Sequence, residues 1–259
     1  QIFMSDLKEP GYFVEEISWN KGEEWYLSLF DNAQIEHRYC GESSTDYTKL
    51  PVYQGVPERI NAFNPKAKII FIMRDPFARI VSHYWFAVRH IYTGGLRQDF
   101  YTACTKDRRF INFSNYPMQI RPYLKLFGKM QVKLVLFEDL LRDPQTLVKE
   151  ILEWLGLEYE IDDDIFGKAW NARPDQILGV SGLGILNRIA YSKSWDYISP
   201  HFPKTLKSWA TRLSKKTIDP KDQQIHIDRL HEEIRSDLLL QTEAMSEIMG
   251  RDLKRVWKL

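Results

Sequence analysis

The residues with the most chemistry to offer are Arg74, Arg79 and Ser82. Arg74 follows the apolar run Ala67-Lys68-Ile69-Ile70-Phe71-Ile72-Met73 and opens the tripeptide Arg74-Asp75-Pro76. A guanidinium presents a planar fork of donors that suits phosphate, and a serine hydroxyl adds a further donor. A parallel strand that ends in arginine delivers that fork to the C-terminal edge of its sheet, where the ligands of α/β proteins bind. Arg79 lies one helical turn before Ser82, and Ser82 about two turns into the segment that follows Pro76. The first expectation is therefore an anion site that uses Arg74 and Ser82. A second arrangement fits the same residues, with Arg74 paired to a nearby carboxylate and Ser82 a buried helix hydroxyl. Which of the two holds depends on the turn between them, and both stay open here.

Positioning such a site requires particular elements. Ala67 to Met73 is short, β-branched and apolar throughout, which predicts a strand buried on both faces, as in a parallel sheet. Pro76 suits the first turn of a helix and Asp75 its N-cap, so Phe77 to His90 reads as helix. A second unit repeats the pattern. Gln131 to Phe137 reads as a strand, Glu138 to Pro144 as a turn with a short helical piece, and Gln145 to Leu155 as a helix stopped by Gly156. Tyr116 to Phe127 is helical with Gly128 as its stop. Lys21 to Phe30 and Val56 to Phe63 have helical spacing, the latter ended by Asn64-Pro65. Glu160 to Asp164 and Ser181 to Gly184 read as loops. Ile225 to Met249 is a long amphipathic helical stretch, Gly250 ends it, and Trp257 is expected to pack back onto the domain. Helices alternating with strands imply an α/β chain with a parallel sheet.

The bulk properties narrow the classes. The chain has 259 residues, 44% hydrophobic and 27% charged, an ordinary globular balance within reach of a single α/β domain, and one domain over residues 1–259 is the expectation. Lys plus Arg is 36 against 35 for Asp plus Glu, a net charge of +1. That argues against a nucleic-acid coat or an anionic-membrane binder. Cys40 and Cys104 form neither a disulfide framework nor a metal-type spacing, so a reducing, cytoplasmic location is the default, with one disulfide between them left open. No apolar run approaches the roughly 18 residues a membrane span needs. The chain starts at Gln1 rather than at an initiator methionine, so a natural N-terminus is not expected here. The many aromatics, Trp 8, Tyr 13 and Phe 14, read first as core.

A set of ordered landmarks then gives these residues a context. Arg74-Asp75-Pro76-x-x-Arg79-x-x-Ser82-x-Tyr84 after an apolar strand resembles the 3′-phosphate motif of sulfotransferases that use 3′-phosphoadenosine 5′-phosphosulfate. Lys8-Glu9-Pro10-Gly11-Tyr12-Phe13 is similar to the family's Glu-x-x-aromatic-Phe segment near the active site. Lys21-Gly22-Glu23-Glu24-Trp25-Tyr26 resembles the Gly-x-x-Trp-Tyr helix of heparan sulfate sulfotransferases. Gly41 to Tyr47 resembles their Glu-Lys-(Ser/Thr)-x-x-Tyr strand and turn. Val135 to Leu140, Asp143-Pro144 and Trp154-Leu155-Gly156 are similar to the family's second strand–helix unit, and Gly250-Arg251-Asp252-Leu253 with Trp257 to the ending of bacterial members. The landmarks run in order from Lys8 to Trp257.

The resemblance implies a three-layer α/β fold, a central parallel sheet flanked by helices, related to the P-loop nucleotide-binding fold. It implies transfer of a sulfuryl group, without a metal, to a hydroxyl, less readily an amine, of a carbohydrate or small-molecule acceptor. Glu9 would be the general base, and Arg74 and Ser82 would hold the donor's 3′-phosphate. Arg173, in Lys168 to Pro174, would belong to the second wall of the nucleotide site. Sulfuryl transfer needs an oriented nucleophile, a base for its proton and cations for the charge on the bridging oxygen. A carboxylate serves as base when partly desolvated, which raises its pKa. The bland alternative pairs Glu9 with Lys8, and His37 and His83 are rival bases. The sequence departs from the family twice. The Lys-x-Gly-Thr loop that grips the 5′-phosphosulfate is absent and would fall before Gln1, and Ser43 stands where heparan sulfate relatives have lysine, with Lys49 nearby but beyond the motif. Two other readings follow: a sulfotransferase-like nucleotide-binding module without catalysis, and a P-loop kinase relative, the latter opposed by the missing Walker lysine and Mg²⁺-binding aspartate.

Overall fold

The computed structural model describes residues 1–89, 98–158, 178–180, 215–217 and 220–259. In chain order the elements begin with β1 (Ile2–Met4), α1 (Glu23–Ser28), β2 (Tyr39–Gly41), α2 (Val56–Phe63), β3 (Ile69–Met73) and α3 (Pro76–Arg89). Then come α4 (Phe100–Lys106), α5 (Arg109–Asn112), α6 (Tyr116–Gln131), β4 (Val132–Leu136), α7 (Phe137–Arg142) and α8 (Pro144–Leu155). The last are β5 (Leu178–Val180), β6 (Lys215–Thr217), α9 (Gln224–Met249) and α10 (Leu253–Trp257). This is a mixed α/β chain with small parallel sheets. β1 runs parallel to β2, with Ile2 opposite Tyr39 and Met4 opposite Gly41. β3 runs parallel to β4, with Ile69 opposite Val132 and Met73 opposite Leu136. β5 and β6 pair antiparallel.

The described residues divide into two compact units. The first comprises Gln1–Pro76, Asn112–Lys168 and Leu239–Leu259. Its core joins Tyr12, Phe13 and Val14 to Phe71 and Met73 of β3, Ile120 and Tyr123 of α6, and Trp257 of α10. Trp257 thus packs as expected. Strand β3 departs from expectation. Phe71 and Met73 are buried, but Ile70 and Ile72 are 41% and 54% exposed. Successive side chains of a strand point to opposite faces, and only the Phe71–Met73 face meets this core. A run without polar alternation cannot show that in sequence.

Helix boundaries follow local chemistry. The Asn115 side chain caps α6 by accepting from the Met118 N–H. Gly128, at φ 70 and ψ 171, breaks the helical geometry where a stop was predicted, although hydrogen bonding continues to Gln131. Asp143 caps α8 by accepting from the Thr146 N–H, Pro144 takes the first position, and Gly156 closes it in the left-handed region at φ 69.

The second unit comprises Phe77–Ile111 and Ala169–Leu238. Ile80, Tyr84 and Val88 of α3 recur at every fourth residue, and so do Leu230, Ile234 and Leu238 of α9. These apolar stripes share one core with Phe100 and Phe110. At its margin the Phe100 N–H donates to Gln223 Oε1 at 2.9 Å, and Asp99 caps α4 through the Thr102 N–H.

Candidate active site

Glu9 occupies an uncommon conformation. Its φ is +52°, in the left-handed region that a residue with a β-carbon enters only when its surroundings hold it there. Gly11, two residues on, also has positive φ, +61°. The segment just after Glu9 is anchored by aromatic packing. Tyr12 stacks on Tyr26 with ring centroids 4.4 Å apart, and Phe13 meets Tyr26, Tyr47 and Phe63 edge to face. Tyr12, Phe13 and Val14 are almost wholly buried. Such burial brings backbone amides out of water, and each needs a partner. The Gly11 N–H donates to Ser44 Oγ at 2.9 Å, and the Phe13 N–H to Tyr47 Oη at 3.4 Å. Arg59 Nε donates to the Phe13 carbonyl at 2.7 Å. From the same turn as Ser44, the Thr45 hydroxyl donates to Glu9 Oε2 at 3.0 Å.

Glu9 itself is exposed, contrary to the expectation of a partly desolvated base. Its carboxylate forms no ion pair with Lys8 among the described residues. The desolvated carboxylate of this region is Glu42. Burial raises its pKa, and the hydroxyls of Tyr47 and Ser44, which donate to it, oppose that rise. Ser44 Oγ lies 2.9 Å from Glu42 Oε2. Glu42, Ser44, Thr45 and Tyr47 were visible in sequence only as members of a motif. Ser43, the motif position that did draw notice, is exposed.

The second chemical corner lies where β3 ends. The Arg74 N–H donates to Tyr116 Oη at 3.2 Å, and its guanidinium sits over Phe137, 5.3 Å from the ring centroid. Arg74 Nε is buried with no hydrogen-bond partner, and Arg74 forms no ion pair among the described residues. The paired-carboxylate alternative is therefore not what the described residues show. The Asp75 N–H donates to Glu138 Oε1 at 2.9 Å, whereas Glu138 Oε2 is buried without a partner. Next to Glu138, Asp139 accepts from Arg251 Nη2 at 3.0 Å and from Arg142 at 2.9 Å, and the Arg251 hydrogen bonds hold its carboxyl below the usual range. An open cleft of about 560 Å³ beside it is lined by three arginines (Arg142, Arg251, Arg255) and three acids (Glu138, Asp139, Asp252). That balance does not make an anion site.

The remaining candidates fall as follows. Ser82 is exposed on α3 rather than buried, and belongs to the second unit, whereas Arg74 belongs to the first. Arg79 is half-buried on the same helix. Arg173 lies outside the described residues. His37 Nδ1 accepts from the Gln34 N–H at 2.8 Å, and its ring meets Phe3 edge to face, so it serves a turn. His83 packs its ring at 4.6 Å from that of Phe110. Lys49 Nζ is 2.5 Å from Asp46 and over the Phe113 ring. Both cysteines are free, and burial pushes the Cys104 thiol up to about 12. Among the described residues no group of His, Cys, Asp and Glu could hold a metal ion, and no helix is long and apolar enough to cross a membrane.

The sulfotransferase family model matches residues 13–161, a stretch holding the Glu42–Tyr47 turn and the Arg74 corner. Bifunctional heparan sulfate N-deacetylase/N-sulfotransferase 4 of Mus musculus is 29% identical over 171 residues, 60% of this chain and 19% of that protein. Heparan sulfate glucosamine 3-O-sulfotransferase 3A1 of Mus musculus is 28% identical over 170 residues, 61% of this chain and 40% of that protein. The aligned part is thus well under half the length of either relative. The crystal structure of a sulfotransferase from Alicyclobacillus acidocaldarius superposes with a TM-score of 0.53 at 26% identity, covering 63% of this chain and 77% of that one. The chain belongs to the sulfotransferase family.

Proposed function

We propose that the protein transfers a sulfuryl group from 3′-phosphoadenosine 5′-phosphosulfate to a hydroxyl of a carbohydrate or small-molecule acceptor. The acceptor oxygen attacks sulfur, the bond from sulfur to the 5′-phosphate oxygen breaks, and the acceptor's proton passes to the Glu9 carboxylate. The exposure of Glu9 leaves its carboxylate accessible to an acceptor, and the Thr45 hydroxyl orients it. The family resemblance assigns Arg74 and Ser82 to the 3′-phosphate and Arg173 to the rest of the nucleotide. Heparan sulfate, named by the curated relatives, sets the first acceptors to try.

The observation that carries this reading is Arg74: a guanidinium at the C-terminal edge of a parallel strand, seated over an aromatic ring, with a buried Nε that no acceptor among the described residues meets. A buried donor left unpaired is costly, and an anion's oxygens would satisfy it. The test uses the full-length protein. 3′-Phosphoadenosine 5′-phosphate should raise its melting temperature, and labelled donor should pass to a member of an acceptor panel. Glu9→Gln should cut turnover by about 10²- to 10⁴-fold, the usual worth of a general base, and keep the thermal shift. Arg74→Ala should weaken nucleotide binding on the order of 10- to 100-fold, the worth of a charge-assisted hydrogen bond. Unchanged binding in Arg74→Ala would overturn the phosphate assignment. Nucleotide binding without transfer to any acceptor would favour a non-catalytic binding module.

A further inference from the structure

Glu9 keeps its left-handed backbone because the residues that follow it are tied down at three points. Two of those ties, the Ser44 and Tyr47 hydroxyls, lead back to one side chain. The Gly11 N–H donates to Ser44 Oγ, and Ser44 in turn donates to Glu42 Oε2 at 2.9 Å. The Phe13 N–H donates to Tyr47 Oη, and the Tyr47 hydroxyl donates to the Glu42 carboxylate. The arrangement is a fork with Glu42 at its base and the buried amides of residues 11 and 13 at its tips. Each hydroxyl has a single proton, so it accepts from an amide only while that proton is directed elsewhere. A carboxylate, with two acceptor oxygens, takes both protons. A carboxamide offers one acceptor oxygen and an NH₂ group that cannot accept. The residue type at position 42 therefore matters to the loop, although no hydrogen bond joins Glu42 to Glu9 among the described residues.

We propose that Glu42 is a positioning residue for the base. Through Ser44 and Tyr47 it fixes the backbone of Gly11 and Phe13, and so holds Glu9 where Thr45 grips its carboxylate. This rests on Glu9 being the base, as proposed above. Glu42 is half-buried and acts here through the Ser44 and Tyr47 hydroxyls rather than on the acceptor.

The test compares Glu42→Gln, Ser44→Ala, Ser44→Thr and Glu9→Gln in the full-length protein. Turnover is divided by the number of sites that bind 3′-phosphoadenosine 5′-phosphate, which removes any loss through misfolding. On that scale Glu42→Gln and Ser44→Ala should each lower kcat by about 10- to 100-fold, as a base displaced by about an ångström does, with KM for donor and acceptor unchanged. Ser44→Thr, which keeps the hydroxyl, should recover most of the loss. Amide hydrogen exchange should accelerate at Gly11 and Phe13 in Glu42→Gln, and at Gly11 in Ser44→Ala. A normalised kcat equal to that of the unaltered protein in Glu42→Gln, with Glu9→Gln inactive, would overturn the positioning role and leave the base in place. Full activity in Glu9→Gln would instead overturn the base itself, and the positioning role with it.

Discussion

The two chemical corners of the first unit solve opposite problems. Around Glu9, the amides of Gly11 and Phe13, the hydroxyls of Ser44 and Tyr47 and the carboxylate of Glu42 all find partners. Around Arg74, the backbone amides of residues 74 and 75 are met, yet Arg74 Nε and Glu138 Oε2 have no partner among the described residues. A closed network holds a geometry, because no member can move without unpairing another. An open corner has binding capacity to spend on something that is not protein. In the proposed reaction these are the duties of a base loop and of a donor site. Substitutions in the first should register as stability and turnover, and substitutions in the second as nucleotide affinity.

The largest effect that could break this contrast is Phe13→Ala. Phe13 is buried among Tyr26, Tyr47 and Phe63, so the change should cost about 3–5 kcal/mol in chemical denaturation. Turnover should fall with it, since Glu9 loses its anchor. Next comes Phe137→Ala, which removes the ring under the Arg74 guanidinium. Calorimetry should show nucleotide affinity reduced about 3- to 10-fold, a partly desolvated cation–π contact. A large loss of stability with unchanged affinity would erase the contrast.

Asp139→Asn is smaller. It breaks the contacts to Arg251 and Arg142 and should lower the melting temperature at pH 7 by about 2–4 °C, if this network is worth about 1 kcal/mol. The Asp139 carboxyl is held below its ordinary value of 3.8, chiefly by Arg251 hydrogen bonding. Its stability is therefore present above that value and lost as pH falls through the lowered one, and Asp139→Asn should flatten this part of the acid limb. Glu42 has the opposite sign. Burial lifts its pKa above 4.5, so the folded protein holds that proton more tightly than the unfolded chain does. Stability from this group therefore declines as pH rises from about 4.5 through the raised value. Melting curves across that range should show the difference between Glu42→Gln and the unaltered protein moving in the variant's favour as pH rises.

How much of this could be read beforehand depended on how local its cause was. The α8 boundaries came from Asp143, Pro144 and Gly156, each acting within one turn. Arg74 at the end of β3 was legible because an apolar run stops there at a charged residue. β1 and β2, three residues each, carry no period to detect, and their pairing joins residues far apart in sequence. Ile70 and Ile72 have the same residue type as buried strand positions, so only the tertiary packing reveals their exposure. Glu9 was found by resemblance, but its positive φ could not be foreseen, since glycine is the usual signal for that conformation and it stands two places later. Glu42 was passed over because its importance lies in a fork whose tips are backbone amides more than 25 residues away in the chain. The expectation for Arg173 rests on resemblance alone, and Arg173 lies outside the described residues.

The buried Glu42 carboxylate sets two kinds of selection against each other. Directed evolution of this protein for heat resistance alone, at pH values well above the carboxylate range, puts less pressure on keeping Glu42, because burial disfavours the ionised form that the Ser44 and Tyr47 hydroxyls favour. Selection for turnover should keep it. A library screened under both pressures would show which demand is stronger at position 42, and folded clones that lost Glu42 should be slow.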